Sequence, residues 1–120
     1  MKGIKLTVTD DGDYIAMPFD GTFADIQDHV GGLVECVPSE PEVTFWVNEE
    51  GNPDFLDLPL NRLAMDCLIR WDRYGVLFAG DGLYGNVVIT GGRDDEGNTL
   101  NLSDEARAWV MRIVADARLF

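Results

Sequence analysis

The fold is indicated first by residues 2 to 19, KGIKLTVTDDGDYIAMPF. Apolar residues alternate with polar ones from Ile4 to Thr9, and the same period of two returns from Tyr14 to Phe19. This is the pattern of half-buried β-strands. Between the two runs lie residues 10 to 13, Asp-Asp-Gly-Asp, which are residue types that favour tight turns. The stretch therefore predicts a β-hairpin with an acidic tip.

Further helices and strands are predicted along the rest of the chain. Helices are expected to begin at Thr22, Asn61 and Ser103, because each is a good N-cap followed by apolar residues at helical spacing. Gly31-Gly32 ends the first helix and Gly75 the second. Short runs of β-branched and aromatic residues predict strands over residues 33–37, 43–47, 76–79 and 87–90.

The order of these elements predicts an α+β fold. The strands come in pairs joined by short turns, and no regular βαβ alternation appears. We expect one domain over residues 1–120, since this length supports a single core and is too short for two. Its sheet should be antiparallel or mixed, with about three helices packed mainly on one face.

Charge is distributed unevenly along the chain. No lysine or arginine lies between Lys5 and Arg62, whereas thirteen acids do, which equals the whole formal net charge of −13. Such a field repels nucleic acid and anionic membranes and attracts basic surfaces. We therefore expect a protein partner with a basic surface, with no direct binding of nucleic acid or membrane. The oligomeric state is left open.

The candidate partner-binding residues are acids in predicted turns and loops: Asp10, Asp11, Asp13, Glu49, Glu50 and Asp54. Carboxylates can take the place of phosphates, which B-DNA presents at about one charge per 1.7 Å of axis. The sharper hypothesis is therefore a DNA mimic that inhibits a DNA-binding or defence protein. The alternative is that the acids only keep the protein soluble.

Catalysis would have to use a small set of residues. The only histidine is His29 and the only thiols are those of Cys36 and Cys67. A Cys/His-dependent enzyme would need them to converge with an acid, and this remains an alternative. Cys67 falls on the apolar face of its helix and Cys36 inside a strand, so both are expected to be reduced core residues. The sequence predicts no catalytic residue and no cofactor.

Metal and phosphate sites are not indicated either. The acidic turns lack the full set of positions that a calcium loop requires. One histidine and two cysteines without C-x-x-C spacing do not make a zinc site. Residues 80–85, GDGLYG, match G-x-G-x-x-G, but they precede a predicted strand and not a helix, which favours a glycine-rich hairpin.

The start of the chain bears on its location. Met1-Lys2-Gly3-Ile4-Lys5 leads into alternating polar residues, so no apolar segment of a secretory signal is present. No apolar run approaches the roughly 18 to 20 residues of a membrane helix. We expect a cytoplasmic protein, in which both thiols stay reduced.

Four short stretches carry a family resemblance: Val30–Val37, Val47–Gly51, Leu58–Asn61 and Gly85–Gly91. In this order they resemble a small uncharacterised domain family common in actinobacterial phages, plasmids and mobile elements. That family often carries Asp where this chain has Asn86, and often ends in a Leu-Thr/Ser-Asp-Glu helix start, here Leu102–Glu105. The resemblance implies a phage or mobile-element accessory protein, with a host or phage protein as its partner, and carries over no catalytic residues.

Overall fold

The computed structural model describes residues 1–9, 11, 13–39, 43–50, 58–71 and 83–118. In chain order the elements are β1 (Lys2–Val8), β2 (Tyr14–Asp20), α1 (Phe23–Val30), β3 (Val34–Ser39), β4 (Val43–Asn48), α2 (Arg62–Trp71), β5 (Val87–Gly91) and α3 (Asp104–Arg118). The strands form one antiparallel sheet in the order β2-β1-β5-β4-β3. The α+β prediction is confirmed. The strand predicted over residues 76–79 lies outside the described residues.

The predicted hairpin is present as β1 and β2. The two strands pair from Lys2 with Asp20 to Val8 with Tyr14. Beyond the last pair the Thr9 amide donates to the carbonyl of Asp13 at 2.9 Å, and the Asp13 amide donates to Oγ1 of Thr9 at 3.0 Å. The acidic tip is therefore closed by two hydrogen bonds between Thr9 and Asp13, one of which uses the Thr9 side chain.

Helices cover both faces of the sheet. On one face, β-strand side chains such as Leu6, Phe45 and Ile89 pack with apolar residues of α2 and α3. On the other face, Trp46 and Val88 pack with residues of α1. The expectation that the helices pack mainly on one face is therefore not confirmed. The physical reason is that β4 and β5 are buried on both sides, which requires a cover on each face.

The predicted helix starts are capped by their own side chains. Thr22 and Asp25 form a reciprocal capping box at the start of α1. The hydroxyl of Ser103 accepts from the Ala106 amide at 3.1 Å at the start of α3. These caps fix where each helix leaves the sheet. None of the described helices is long and apolar enough to cross a membrane.

Candidate protein-binding surface

Two acidic turns, far apart in the sequence, lie at the same end of the sheet. β5 runs antiparallel to both β1 and β4, so β1 and β4 run in the same direction and finish at the same end. The β1–β2 turn with Asp11 and Asp13 follows β1, and Glu49 and Glu50 follow β4. We call this the acidic end, defined by these four residues. Only β5 separates β1 from β4, a distance of two strand spacings, or about 10 Å.

The four carboxylates of the acidic end are available to a partner. Asp11, Asp13, Glu49 and Glu50 are all exposed. Across the described part of the chain, the two ion pairs both use Arg70, with Asp66 and with Asp116. Neither pair involves the acidic end, although Arg62 lines an open cavity together with Asp13. Two more of the predicted site residues, Asp10 and Asp54, lie outside the described residues.

Asn86 joins three elements beneath the acidic end. Its Oδ1 atom accepts from the Val8 amide at 3.1 Å, which extends the β1–β5 ladder by one bond. Its Nδ2 atom donates to the carbonyl of His29 at 3.0 Å, in the last turn of α1. A single amide side chain thus positions the end of β1 and the end of α1 relative to the start of β5.

Asn61 is more than the helix cap that the sequence predicts. Its Oδ1 atom does accept from the Ala64 amide at 3.0 Å, which confirms the cap. Its Nδ2 atom also donates to the carbonyls of Gly85, at 2.9 Å, and Leu6, at 3.3 Å. The side chain is fully buried, and these bonds join the start of α2 to β1 and to the residue before Asn86.

Asn48 positions the second acidic turn. Its Oδ1 atom accepts from the Glu50 amide at 2.8 Å, which shapes the turn, and its Nδ2 atom donates to the carbonyl of Val30 at 3.0 Å. The Glu49 amide donates to the carbonyl of Leu33 at 2.9 Å. These hydrogen bonds hold the turn against the end of α1, and they fix the backbone from which the side chains of Glu49 and Glu50 extend.

The convergence of these three asparagines is what the sequence reasoning missed. Asn48, Asn61 and Asn86 lie within three of the four stretches that carry the family resemblance, and Val30–Gly32 lies in the fourth. Each was interpreted by itself, as a turn, cap or strand residue. The available signal was that each asparagine stands at the boundary of a strand or helix, since Asn48 ends β4, Asn61 precedes α2 and Asn86 precedes β5.

Other acids lie away from the acidic end. The turn of residues 94–96 follows β5, Asp104 and Glu105 begin α3, and Asp20 ends β2, all at the opposite end of the sheet. The 94–96 turn is built by Asp94, whose Oδ1 atom accepts from the amides of Asn98 and Glu96. These bonds lower the pKa of Asp94, the Asn98 amide most.

The residues of the enzyme hypothesis do not converge. Cys67 belongs to the core between the sheet and α2–α3, and burial raises the pKa of its thiol to about 12. Cys36 and His29 lie on the α1 side, and among the described residues no hydrogen bond joins His29 to either thiol. Cys36 corrects the expectation of two buried thiols, because it is half-buried on an edge strand and accepts from Arg93 Nη2 at 3.2 Å.

The surroundings of His29 disfavour the charged form of its imidazole. Its Nε2 atom is buried, with no hydrogen-bond partner among the described residues. Burial lowers the pKa of His29, and the positive charge of Lys5 lowers it further. In the same described part of the chain, no group of three or more His, Cys, Asp and Glu residues could hold a metal ion.

Comparison with known proteins gives a family for the chain. A family model described as a domain of unknown function (DUF3846) matches residues 4–115. The chain belongs to this family. No curated protein and no solved structure matches it. The resemblance to an uncharacterised domain family is thereby confirmed at the level of the family, and an origin in phages or mobile elements stays a prediction.

Proposed function

We propose that this DUF3846 domain acts by binding a host or phage protein that has a basic surface, and that it does so through the acidic end. In this proposal it is an accessory protein of a phage or mobile element and works in the host cytoplasm. The supporting observation is that Asp11, Asp13, Glu49 and Glu50 lie at one end of one sheet, and that none of the four forms a salt bridge among the described residues.

The hydrogen bonds of Asn48 and Asn86 beneath the carboxylates support this proposal on energetic grounds. Binding loses free energy when loops must be ordered, and a surface that is already fixed loses less. Asn48 fixes the Glu49–Glu50 turn against α1, and Asn86 fixes the strand that leads to the Asp11 turn. Charge of one sign on such a surface accelerates encounter with a basic partner and disfavours acidic ones.

A DNA mimic is the sharper form of the proposal. In that form the carboxylates occupy the surface on which a DNA-binding or defence protein holds phosphates, so the complex weakens steeply with salt and double-stranded DNA competes for the partner. In the alternative with no decoy role, acidity serves solubility, and all exposed acids are equivalent. The acids at the opposite end of the sheet allow these readings to be separated by experiment.

The test compares two double charge reversals of equal size. Glu49→Lys/Glu50→Lys changes the acidic end, and Asp95→Lys/Glu96→Lys changes an exposed turn at the opposite end. Each variant is immobilised and used to capture protein from a bacterial host lysate at low and high salt, with and without double-stranded DNA. Circular dichroism and thermal melting show that both variants fold.

We expect the unmodified domain to capture a partner protein from the lysate. The reversal at the acidic end should abolish this capture, and the control reversal should retain it. Loss of capture with added DNA supports the mimic, and capture that resists DNA supports a different basic partner. Equal effects of the two reversals would contradict the proposed surface, because net charge alone would then explain binding.

A further inference from the structure

An open cavity of about 430 Å³ lies at the end of α1, beside the acidic end. The residues lining it are Gln27, Asp28, Gly31, Gly32 and Leu33. It is next to the second acidic turn, because the Glu49 amide bonds to the carbonyl of Leu33. The acidic end therefore has a shallow, open cavity at its margin.

The one charged residue among those described as lining this cavity is the acid Asp28. Asp28 is exposed, and none of the described residues that line the cavity is a lysine or arginine. The carboxyl end of a helix adds partial negative charge from its terminal carbonyls. Two of these carbonyls already accept hydrogen bonds: that of His29 accepts from Asn86, and that of Val30 accepts from Asn48.

Among the hydrogen bonds of the described residues, one carbonyl of the last turn, that of Asp28, has no donor. Gly31 has a left-handed φ of 85°, which ends the helix. The Gly31 and Gly32 amides both donate to the carbonyl of Gln27, at 2.9 and 3.1 Å. The Asp28 carbonyl receives neither amide, so the same residue supplies both a carboxylate and a backbone acceptor at the cavity.

Leu33 gives the cavity an apolar wall. It is 65% exposed, the highest value among the exposed large apolar residues of the described chain. A bulky apolar side chain this exposed, in a cavity that Asp28 also lines, is suited to the aliphatic part of a long basic side chain, whose charged head reaches a polar group. Apolar anchors ringed by charge are common at the centre of protein interfaces.

We infer that this cavity receives an arginine side chain of the basic partner, an inference that rests on the proposed function. The guanidinium reaches the carboxylate and the backbone carbonyl of Asp28, while its aliphatic stem lies along Leu33. Arginine fits better than lysine because its planar head carries several donors in fixed directions and is less strongly hydrated.

The probe is Nα-acetylarginine amide, titrated into ¹⁵N-labelled protein, with Nα-acetylcitrulline amide as the neutral compound of similar shape. We expect saturable shifts of the Gly31, Gly32 and Leu33 amides with the arginine compound and none with citrulline. Asp28→Asn keeps the size of the side chain and removes its charge, and it should weaken the arginine compound about two- to fivefold. Asp95→Asn, in an exposed turn at the opposite end, is the control and should leave the affinity unchanged.

Equal shifts with citrulline, or an affinity that Asp28→Asn leaves unchanged, would overturn the arginine site. The lysate capture separates this failure from that of the proposed function. If Glu49→Lys/Glu50→Lys abolishes capture while Asp28→Asn and Leu33→Ala have no effect on it, the arginine site is wrong, but partner binding through the acidic end is retained as the proposed function. If Glu49→Lys/Glu50→Lys also leaves capture unchanged, the arginine site and the proposed function are both wrong.

Discussion

The Asn86 amide nitrogen donates to the carbonyl oxygen of His29 at 3.0 Å, and so ties the start of β5 to the end of α1. The other atom of the same amide accepts from Val8, at the end of β1. Asp11 and Asp13 of the acidic end lie in the turn that follows β1, and the Glu49–Glu50 turn is bonded to the end of α1 through Asn48. The stability of this end should therefore depend on amide side chains that carry no charge.

Asn86→Ala should lower the free energy of unfolding by about 1 to 3 kcal/mol, because it leaves a partly buried donor and acceptor without partners. Urea unfolding measures this value. Asn101→Ala is the matched control, since Asn101 accepts one exposed bond, from the Lys2 amide. It should cost less than about 1 kcal/mol. Equal losses of unfolding free energy in the two variants would show that the two hydrogen bonds of Asn86 contribute no more than the single exposed bond of Asn101.

Asn61→Ala should cost more than the roughly 1 kcal/mol of an ordinary N-cap. The structure adds two buried bonds, to Leu6 and Gly85, so a loss of about 3 kcal/mol is expected. Thermal and urea unfolding of the variant provide the measurement. A loss close to that of a simple cap would contradict this role, and unchanged stability with lost capture would make Asn61 a binding residue instead.

The two thiols should differ in reactivity. Cys67 is 1% exposed and burial raises its pKa to about 12, whereas Cys36 is half-buried. In native protein at pH 8, iodoacetamide should therefore modify Cys36 first and reach Cys67 only on unfolding. Mass spectrometry of the digested protein locates the label. Rapid native labelling of Cys67 would refute its place in the core.

Cys67→Ser should destabilise the fold by about 1 to 3 kcal/mol, because a hydroxyl then replaces a thiol in an apolar core. Cys36→Ser, at the half-buried site, is the control and should cost less. Urea unfolding under reducing conditions compares the two. A larger loss for Cys36→Ser would place the more important thiol on the α1 side of the sheet.

Stability should fall as the pH is lowered below about 6.5, the ordinary pKa of histidine. Burial and Lys5 lower the pKa of His29 in the folded state, so between these two pKa values the unfolded chain binds more protons. The loss stops growing below the folded pKa. His29→Gln removes this titration, and unfolding at pH 7.5 and 5.5 compares it with the parent. The carboxylates with lowered pKa, Asp25 and Asp94, act only at lower pH.

A parent protein that is equally stable at both pH values would contradict a lowered pKa of His29 in the folded state. So would a His29→Gln variant that retains the full pH dependence, because another group would then be responsible.

Local patterns in the sequence predicted local structure well. Thr22, Asn61 and Ser103 do cap their helices, because a cap depends on residues three positions away. The alternation of apolar and polar residues predicted β1 and β2, since every second side chain of a strand lies on the same face.

Long-range placement could not be predicted in the same way. The position of β5 between β1 and β4 depends on pairing across the chain, such as Leu6 with Val87 and Trp46 with Val88. That position brings the two acidic turns to one end and requires helices on both faces. An asparagine that bonds a carbonyl 57 positions away, as Asn86 does to His29, leaves no periodic pattern in the sequence.

The most direct test of the account is a map of the bound surface on the ¹⁵N-labelled domain, with the purified captured protein as titrant. The account predicts that the amide signals of Asp11, Asp13, Glu49 and Glu50 shift or broaden, while those of the 94–97 turn stay unchanged. Changes centred on that opposite turn, or on an exposed apolar residue such as Met17, with the acidic end unaffected, would contradict it.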